Sequence, residues 1–307
     1  MLAGANACHA QDAKFPTKKV DFIVAFAAGG FADTLARFVA QKLNETWGQS
    51  VVIENRGGAG GNLAARAVRS AQPDGYTVLV TTTALAINPT MYRRLDFTLD
   101  ELAAVAIPAA SPETLAAHPS KAPGGLKEFI AANKDHEVTF ASAGVGSGSH
   151  LAAEYFFREH AKTKALHVPF RGGSPAVQAV LGNQVDLIAS SFGVTSQVVD
   201  GKLKGLAVAS PSRNPAMPDV PTYKESGFDF EAESWVGFFV PAKTDPAVVA
   251  ALNAAINAVV SEPAGRDHLS RLGFRIAPRS AAESQAYLKS EVGKWGTMVK
   301  PVGVYVD

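Results

Sequence analysis

Between Phe140 and His150 the sequence FASAGVGSGSH sets Gly144, Gly146 and Gly148 among Ser142, Ser147 and Ser149, with Ala143 between two of them. Glycine lets a backbone approach a ligand closely, and unpaired N–H groups at the mouth of a helix accept an anion. A carboxylate fits such a turn. The same residues also make an ordinary strand-to-helix turn, so the pattern alone leaves both readings open. Arg171-Gly172-Gly173 is a second corner of this kind. There a β-rich run ends, and Ser174-Pro175 predicts the N-cap and first turn of a helix.

Other chemistries find little footing. No G-x-S-x-G elbow frames a serine, and the neighbours Ser149 and His150 point in different directions at a helix start, out of mutual hydrogen-bond reach. The seven histidines show no H-E-x-x-H spacing, so no metal site is expected. GVGSGS approaches the dinucleotide fingerprint, but Ser149 holds the third glycine position and the run His167–Phe170 lacks the acidic residue that would meet a ribose. No G-x-x-x-x-G-K-[ST] occurs either. No catalytic residue and no cofactor is expected. A formal net charge of +1 and scattered basic residues argue against nucleic acid.

The elements around these loops alternate. Lys19–Phe26 is β-rich, Ala27-Ala28-Gly29-Gly30 follows, and a helix is predicted from Asp33, its N-cap, with Leu35, Phe38, Val39 and Leu43 on one face. A second unit runs from Val51–Glu54 through GGAGG (Gly57–Gly61) into a helix over 62–70. A third strand, Tyr76–Thr82, ends in Thr81, Thr82 and Thr83, with Ala84–Pro89 leading away and Asn88 available as an amide donor. Alternation of β and α predicts a parallel sheet whose ligand loops gather at the carboxyl ends of the strands. Extended runs at Val105–Pro108 and Thr114–Ala117 place a crossing near Ser111–Glu113. A second set follows: a helix over 126–133, the strand Glu137–Ala141, the serine-glycine loop, a helix to about His160, the strands Ala165–Phe170, Val185–Ser190 and Leu203–Ser210. Ser234–Val240 crosses back, and helices starting at Asp245-Pro246 and at the Ser280/Glu283 capping box pack on the first lobe. The partition expected is 15–112 with 232–307 in lobe 1, and 113–231 in lobe 2.

With 307 residues, 47% hydrophobic and 19% charged, two lobes of ordinary size are affordable. Residues 1–14 read as a signal remnant, MLAGANACHA being the tail of an export signal that ends near Ala10. A lipid anchor on the single cysteine, Cys8, is the alternative, although Ala5 stands where such signals usually place leucine. No run long and apolar enough to span a membrane occurs.

An ordered series of segments resembles the extracytoplasmic receptors of tripartite tricarboxylate transporters, the TctC or Bug family: FPTKKVDFIVAFAAGG with Asp33, VVIENRGGAGG, PDGYTVLV, FASAGVGSGSHLAAE, HVPFRGGSPAVQAVLGNQVDLI, GKLKGLAV, and MPDVPTYKESG before SWVGFF. The resemblance runs from Phe15 to Lys300. It implies an α/β, two-lobed periplasmic Venus flytrap with two crossings, a monomer that binds a small carboxylate and hands it to membrane permease subunits. Backbone amides, hydroxyls and water hold the carboxylate in that family. Carried over, its binding loops fall on Phe26–Gly30 with Asp33, on Thr82, Thr83 and Asn88, on Ser142–His150, on Arg171–Gly173, and on Ser190–Phe192. One departure is Ala27-Ala28, where the family usually has two prolines. Phe31 and Phe192 either pack or face each other across the cleft. If both line it, the ligand has an apolar body, such as an aromatic acid or an aliphatic diacid. Ser147→Pro is expected to weaken binding more than Ser147→Ala, because proline lacks the amide. An enzyme acting on a small acid in the same cleft, or a ligand sensor for a signalling partner, are the competing functions.

Overall fold

The computed structural model describes residues 15–307; the signal remnant and Cys8 lie outside the described residues. The first sheet is built from β1 (Val20–Val24), β2 (Val51–Asn55), β3 (Thr77–Thr82) and β4 (Leu102–Pro112), interleaved with α1 (Phe31–Trp47), α2 (Asn62–Arg69) and α3 (Ala84–Met91). The chain then enters a second sheet through β5 (Thr114–Ala117), α4 (Leu126–Ala132), β6 (Val138–Ser142), α5 (Gly148–Tyr155), β7 (Ala165–Pro169), α6 (Gly173–Leu181), β8 (Leu187–Ser190), α7 (Val194–Val199) and β9 (Lys204–Val208). It returns through β10 (Glu233–Pro241), followed by α8 (Pro246–Ser261), α9 (Pro263–Arg271), β11 (Arg275–Ile276) and α10 (Ala281–Val302). The strand orders are β11-β4-β10-β3-β1-β2 and β7-β6-β8-β5-β9.

Neither sheet is wholly parallel, as simple alternation predicts. The βα units pair in parallel, β1 with β2 and β3, and β6 with β7 and β8. The strands next to the crossings run against them: β10 is antiparallel to β3 and β4, and β5 to β8 and β9. A strand that enters from the other lobe has no crossover helix to set its direction, so antiparallel pairing is open to it. Apolar runs such as SWVGFFV in β10 are buried over both faces, with Trp235, Phe238 and Phe239 fully covered.

Two helix starts differ from expectation. The first helix begins at Phe31 with Gly30 as its N-cap, so Asp33 lies in its first turn. The sixth begins at Gly173 behind Gly172, one residue before Ser174. The segment after Thr83 is helical despite Pro89, which lies near the end of α3. Asp245 and Ser280 do cap α8 and α10 through their side chains. The last helix reaches past the first lobe: it packs on α3 and β4 and also on α5 of the second, and Arg158 Nη1 donates to the Val302 carbonyl at 2.9 Å.

Candidate functional site

The lobes meet over a cavity of about 40 Å³. That is roughly three times the space a single water needs. From the first sheet's side Phe26, Gly30, Phe31, Ala32 and Thr82 line it; from the second, Ala143, Ser147, Gly148, Ser149, Gly172, Gly173 and Ser190–Phe192. Ser234, at the start of the returning strand, completes it. No charged side chain is among these.

Three helices aim their N-termini at this space. First-turn amides have no carbonyl four residues back to bond, and those of Phe31 and Ala32 (α1), Gly148 and Ser149 (α5) and Gly173 (α6) find no other acceptor among the described residues. Each helix adds a partial positive charge of roughly half a unit at that end. The cavity is therefore electropositive without a cationic side chain.

A network of hydroxyls shapes the second-lobe loop. Ser147 caps α5 by accepting from His150 N at 3.2 Å, and its own hydroxyl donates to Gly144 O at 2.7 Å. Ser149 Oγ lies 3.1 Å from Ser147 Oγ and accepts from Ala143 N at 3.3 Å. The Ser147 amide is itself engaged with Gly144 O at 3.1 Å. So a proline at 147 breaks the loop rather than removing a free donor, and the amides open to a ligand are those one and two residues on.

Behind the loop lie two stacked imidazoles, His150 and His167, 3.9 Å apart. His150 Nδ1 accepts from Gly146 N at 3.4 Å, and His167 Nε2 is 2.6 Å from Ser142 Oγ. Burial first, then the neighbouring His167 and Arg158, push His150 down to about 3; burial pushes His167 down to about 4. Both are neutral at physiological pH. Hence Ser142, Gly144, Gly146 and His150 support the loop from behind and do not line the cavity, and Ser149 and His150 make no bond to each other.

The remaining residues marked in the sequence fall outside the cavity as well. Asp33 is buried, and its carboxylate accepts from Gly29 N, Arg37 Nε and Asn55 Nδ2, each at 2.8 Å. Burial pushes that carboxyl up, but the bonds from Arg37, Gly29 and Asn55 outweigh it and hold it below the usual range. Asp33 thereby fixes the Phe26–Gly30 loop. Thr83 Oγ1 accepts from Trp235 N at 2.8 Å. Asn88 donates to Gly60 O and Asn62 Oδ1, and its own Oδ1 is buried without a partner among the described residues. Arg171 is exposed. Ala32 and Ser234 are lining residues that sequence reading missed. Ser234 had one signal, as the polar residue that opens an otherwise apolar strand.

Contacts across the cleft draw the lobes together. Ser174 Oγ donates to Gly29 O at 3.0 Å, and Ser111 Oγ to Ser191 O at 2.6 Å. Phe31 stacks on Phe274 with centroids 4.8 Å apart, and Phe192 lies 5.8 and 5.5 Å from those two rings. Phe31 and Phe192 thus both pack and line the cavity.

A model of the tripartite tricarboxylate transporter family receptor matches residues 35–304. The structure of the periplasmic binding protein BugD is 33% identical, with a TM-score of 0.88 over 95% of this chain and 99% of its own. MatC from Rhodopseudomonas palustris, solved with bound malate, is 32% identical with a TM-score of 0.86, over 93% and 100%. Rpa4515 from R. palustris, solved with adipate, is 27% identical with a TM-score of 0.90, over 94% and 98%. The two sheets, the paired crossings and the family match agree, and the chain belongs to the TctC family of tripartite tricarboxylate transporter receptors, solute-binding proteins with the two-lobed periplasmic fold.

Proposed function

We propose that this protein is a monomeric periplasmic receptor that closes on a small carboxylate with an apolar body and delivers it to the membrane permease of a tripartite tricarboxylate transporter. The observation that carries the reading is the convergence of three helix N-termini, from both lobes, on one cavity without a charged side chain. Amide donors from opposite lobes reach one anion only when the lobes are together, so the ligand favours closure by the contacts it adds there. The rigid bodies are 15–112 with 232–307 and 113–231. Chemistry has no part in this cycle.

The apolar body is argued from the wall. Phe26, Phe31 and Phe192 all line the cavity, and burying an apolar group against them contributes about 25 cal/mol per Å². Relatives solved with malate and with adipate support a carboxylate.

A thermal-shift panel of acetate, benzoate, malate, adipate and citrate tests this. Benzoate or adipate is expected to raise the melting temperature most, since a ligand that binds only the folded state stabilises it by mass action. A shift with citrate alone rejects the apolar body, and no shift with any of the five rejects the carboxylate. Binding of the liganded form to vesicles that carry the permease, with none from the free form, checks delivery.

A further inference from the structure

Glu113 is the single residue between β4 and β5, where the chain leaves the first sheet for the second. Its backbone is tied to the surrounding passes: its N–H donates to Ala232 O at 2.9 Å and its carbonyl accepts from Ala209 N at 2.8 Å. The residue is 3% exposed. Of its carboxyl oxygens, Oε1 meets Ser234 Oγ at 2.5 Å, while Oε2 has no partner among the described residues. Ser234 lines the cavity, and so does Gly148, where an added Cβ would lie 2.2 Å from Ser234 Oγ and 3.1 Å from Glu113 Oε1. The carboxyl therefore sits directly behind the cavity floor, against the mouth of α5.

Among the described residues no cation is paired with it. α5 carries His150, which is neutral, with Glu154, paired to Arg158, and Tyr155 toward its other end; the segment after β9 brings Tyr223, whose phenol is pushed up by its burial and by Glu113. From β10 it meets only the Ser234 hydroxyl. Burial pushes the Glu113 carboxyl up to about 8, against a smaller downward pull from the Ser234 bond.

Ser234 Oγ carries one proton. When Glu113 is ionised, that proton points to Oε1, and Ser234 turns lone pairs toward the cavity with a negative charge behind them. When Glu113 is neutral with its proton on Oε1, its partner there among the described residues is Ser234 Oγ, so the bond reverses and the serine O–H is free to donate into the cavity. We propose that Glu113 decides whether Ser234 meets the ligand as a donor or an acceptor, and so makes carboxylate capture depend on a proton held at the crossing. This rests on the reading that the cavity takes a carboxylate.

The sign follows from linkage. A bound anion favours neutral Glu113 and raises its pKa above that of the free receptor. Affinity is full below the free receptor's pKa and falls as pH rises through it. In the alkaline window each captured anion brings up to one proton from solvent onto Glu113, and release returns it.

Calorimetric titration with acetate, benzoate, malate, adipate and citrate, at about pH 7 and about pH 9.5 in two buffers of different ionisation enthalpy, tests this. The acids that bind are expected to lose affinity by up to about tenfold per pH unit above about 8, with measurable proton uptake. Glu113→Gln, whose amide N–H donates to Ser234 at every pH, removes the alkaline fall; Ser234→Ala weakens binding near neutrality and flattens the profile. Equal affinity at both pH values, or the same alkaline fall in Glu113→Gln, overturns the proposal while the carboxylate reading stands. If none of the five acids binds at either pH, both readings fail together. Should Glu113→Gln not fold, the wild-type proton uptake decides, and a value of zero overturns the proposal.

Discussion

Two glycine-rich loops in this protein share one grammar, and only one of them reaches the cavity. Gly57–Gly61 and Gly144–Gly148 each follow a parallel strand and open a helix. In the first, Gly61 N bonds back to Gly58 O, and the Gly60 carbonyl accepts from the buried Asn88. In the second, Ser149, Ser142 and His150 accept from the amides of Ala143, Gly144 and Gly146, and Gly144 O accepts from that of Ser147, while those of Gly148 and Ser149 stay free at the cavity. What separates a binding loop from a structural turn is thus which amides the loop's own carbonyls and side chains leave free.

Substitutions can break that contrast. Gly148→Ala is expected to have the largest effect, a loss of carboxylate affinity of a hundredfold or more. Its Cβ would collide with Ser234 Oγ, and relieving that overlap costs about 1–3 kcal/mol before the ligand is considered. Calorimetry with the tightest acid of the panel reads it. If affinity survives within about tenfold, the cavity floor is not where the ligand sits.

Acid should separate the loops next. The folded pKa values of His150 and His167 are depressed, so the stability they confer is complete above about 6.5 and drains as pH falls toward about 4 and then about 3. A slope of about 1.4–2.7 kcal/mol per pH unit below 6.5 is expected, since the unfolded chain binds between one and two protons more than the folded one. Hydrogen exchange, corrected for intrinsic rate, should show Gly144–Gly148 losing protection at about pH 5 while Gly57–Gly61, which no imidazole supports, keeps it. Equal loss in both loops contradicts the role given to the pair.

Gly60→Ala sharpens the comparison from the other side. At φ 61° the alanine is strained, and its Cβ would lie 2.9 Å from Tyr92 Oη. Stability should drop by about 1–2 kcal/mol, with carboxylate affinity changed less than about threefold. The smallest effect is expected from Ser147→Ala, which loses an N-cap bond worth about 1 kcal/mol while the free amides remain. Chemical denaturation measures both, and a hundredfold affinity loss in Ser147→Ala would assign the anion to the hydroxyl.

Much of this arrangement was legible from local chemistry. Runs such as KVDFIVAF or ALHVPF followed by glycines mark strand, loop and helix, because β-branched and aromatic residues and turn glycines act within a few positions of one another. The passage between lobes near Glu113 was also readable, from two extended runs around a short break. The course of α3 was not, since Pro89 reads as a helix stop when its place in the last turn is unknown. Asp33 looked like a ligand contact until Arg37 and Asn55, the latter on a neighbouring strand, were seen to hold it. The pairing of Ser234 with Glu113 joins residues 121 positions apart through the packing of both crossings, and no local pattern encodes it.

The stack of Phe31, Phe274 and Phe192 has a consequence for how the two halves stay together. It is a clasp of uncharged rings, so dissolved salt has little purchase on it. A receptor fastened this way keeps its hold when the surrounding medium swings from dilute to brackish, where an ion-paired fastening would slacken.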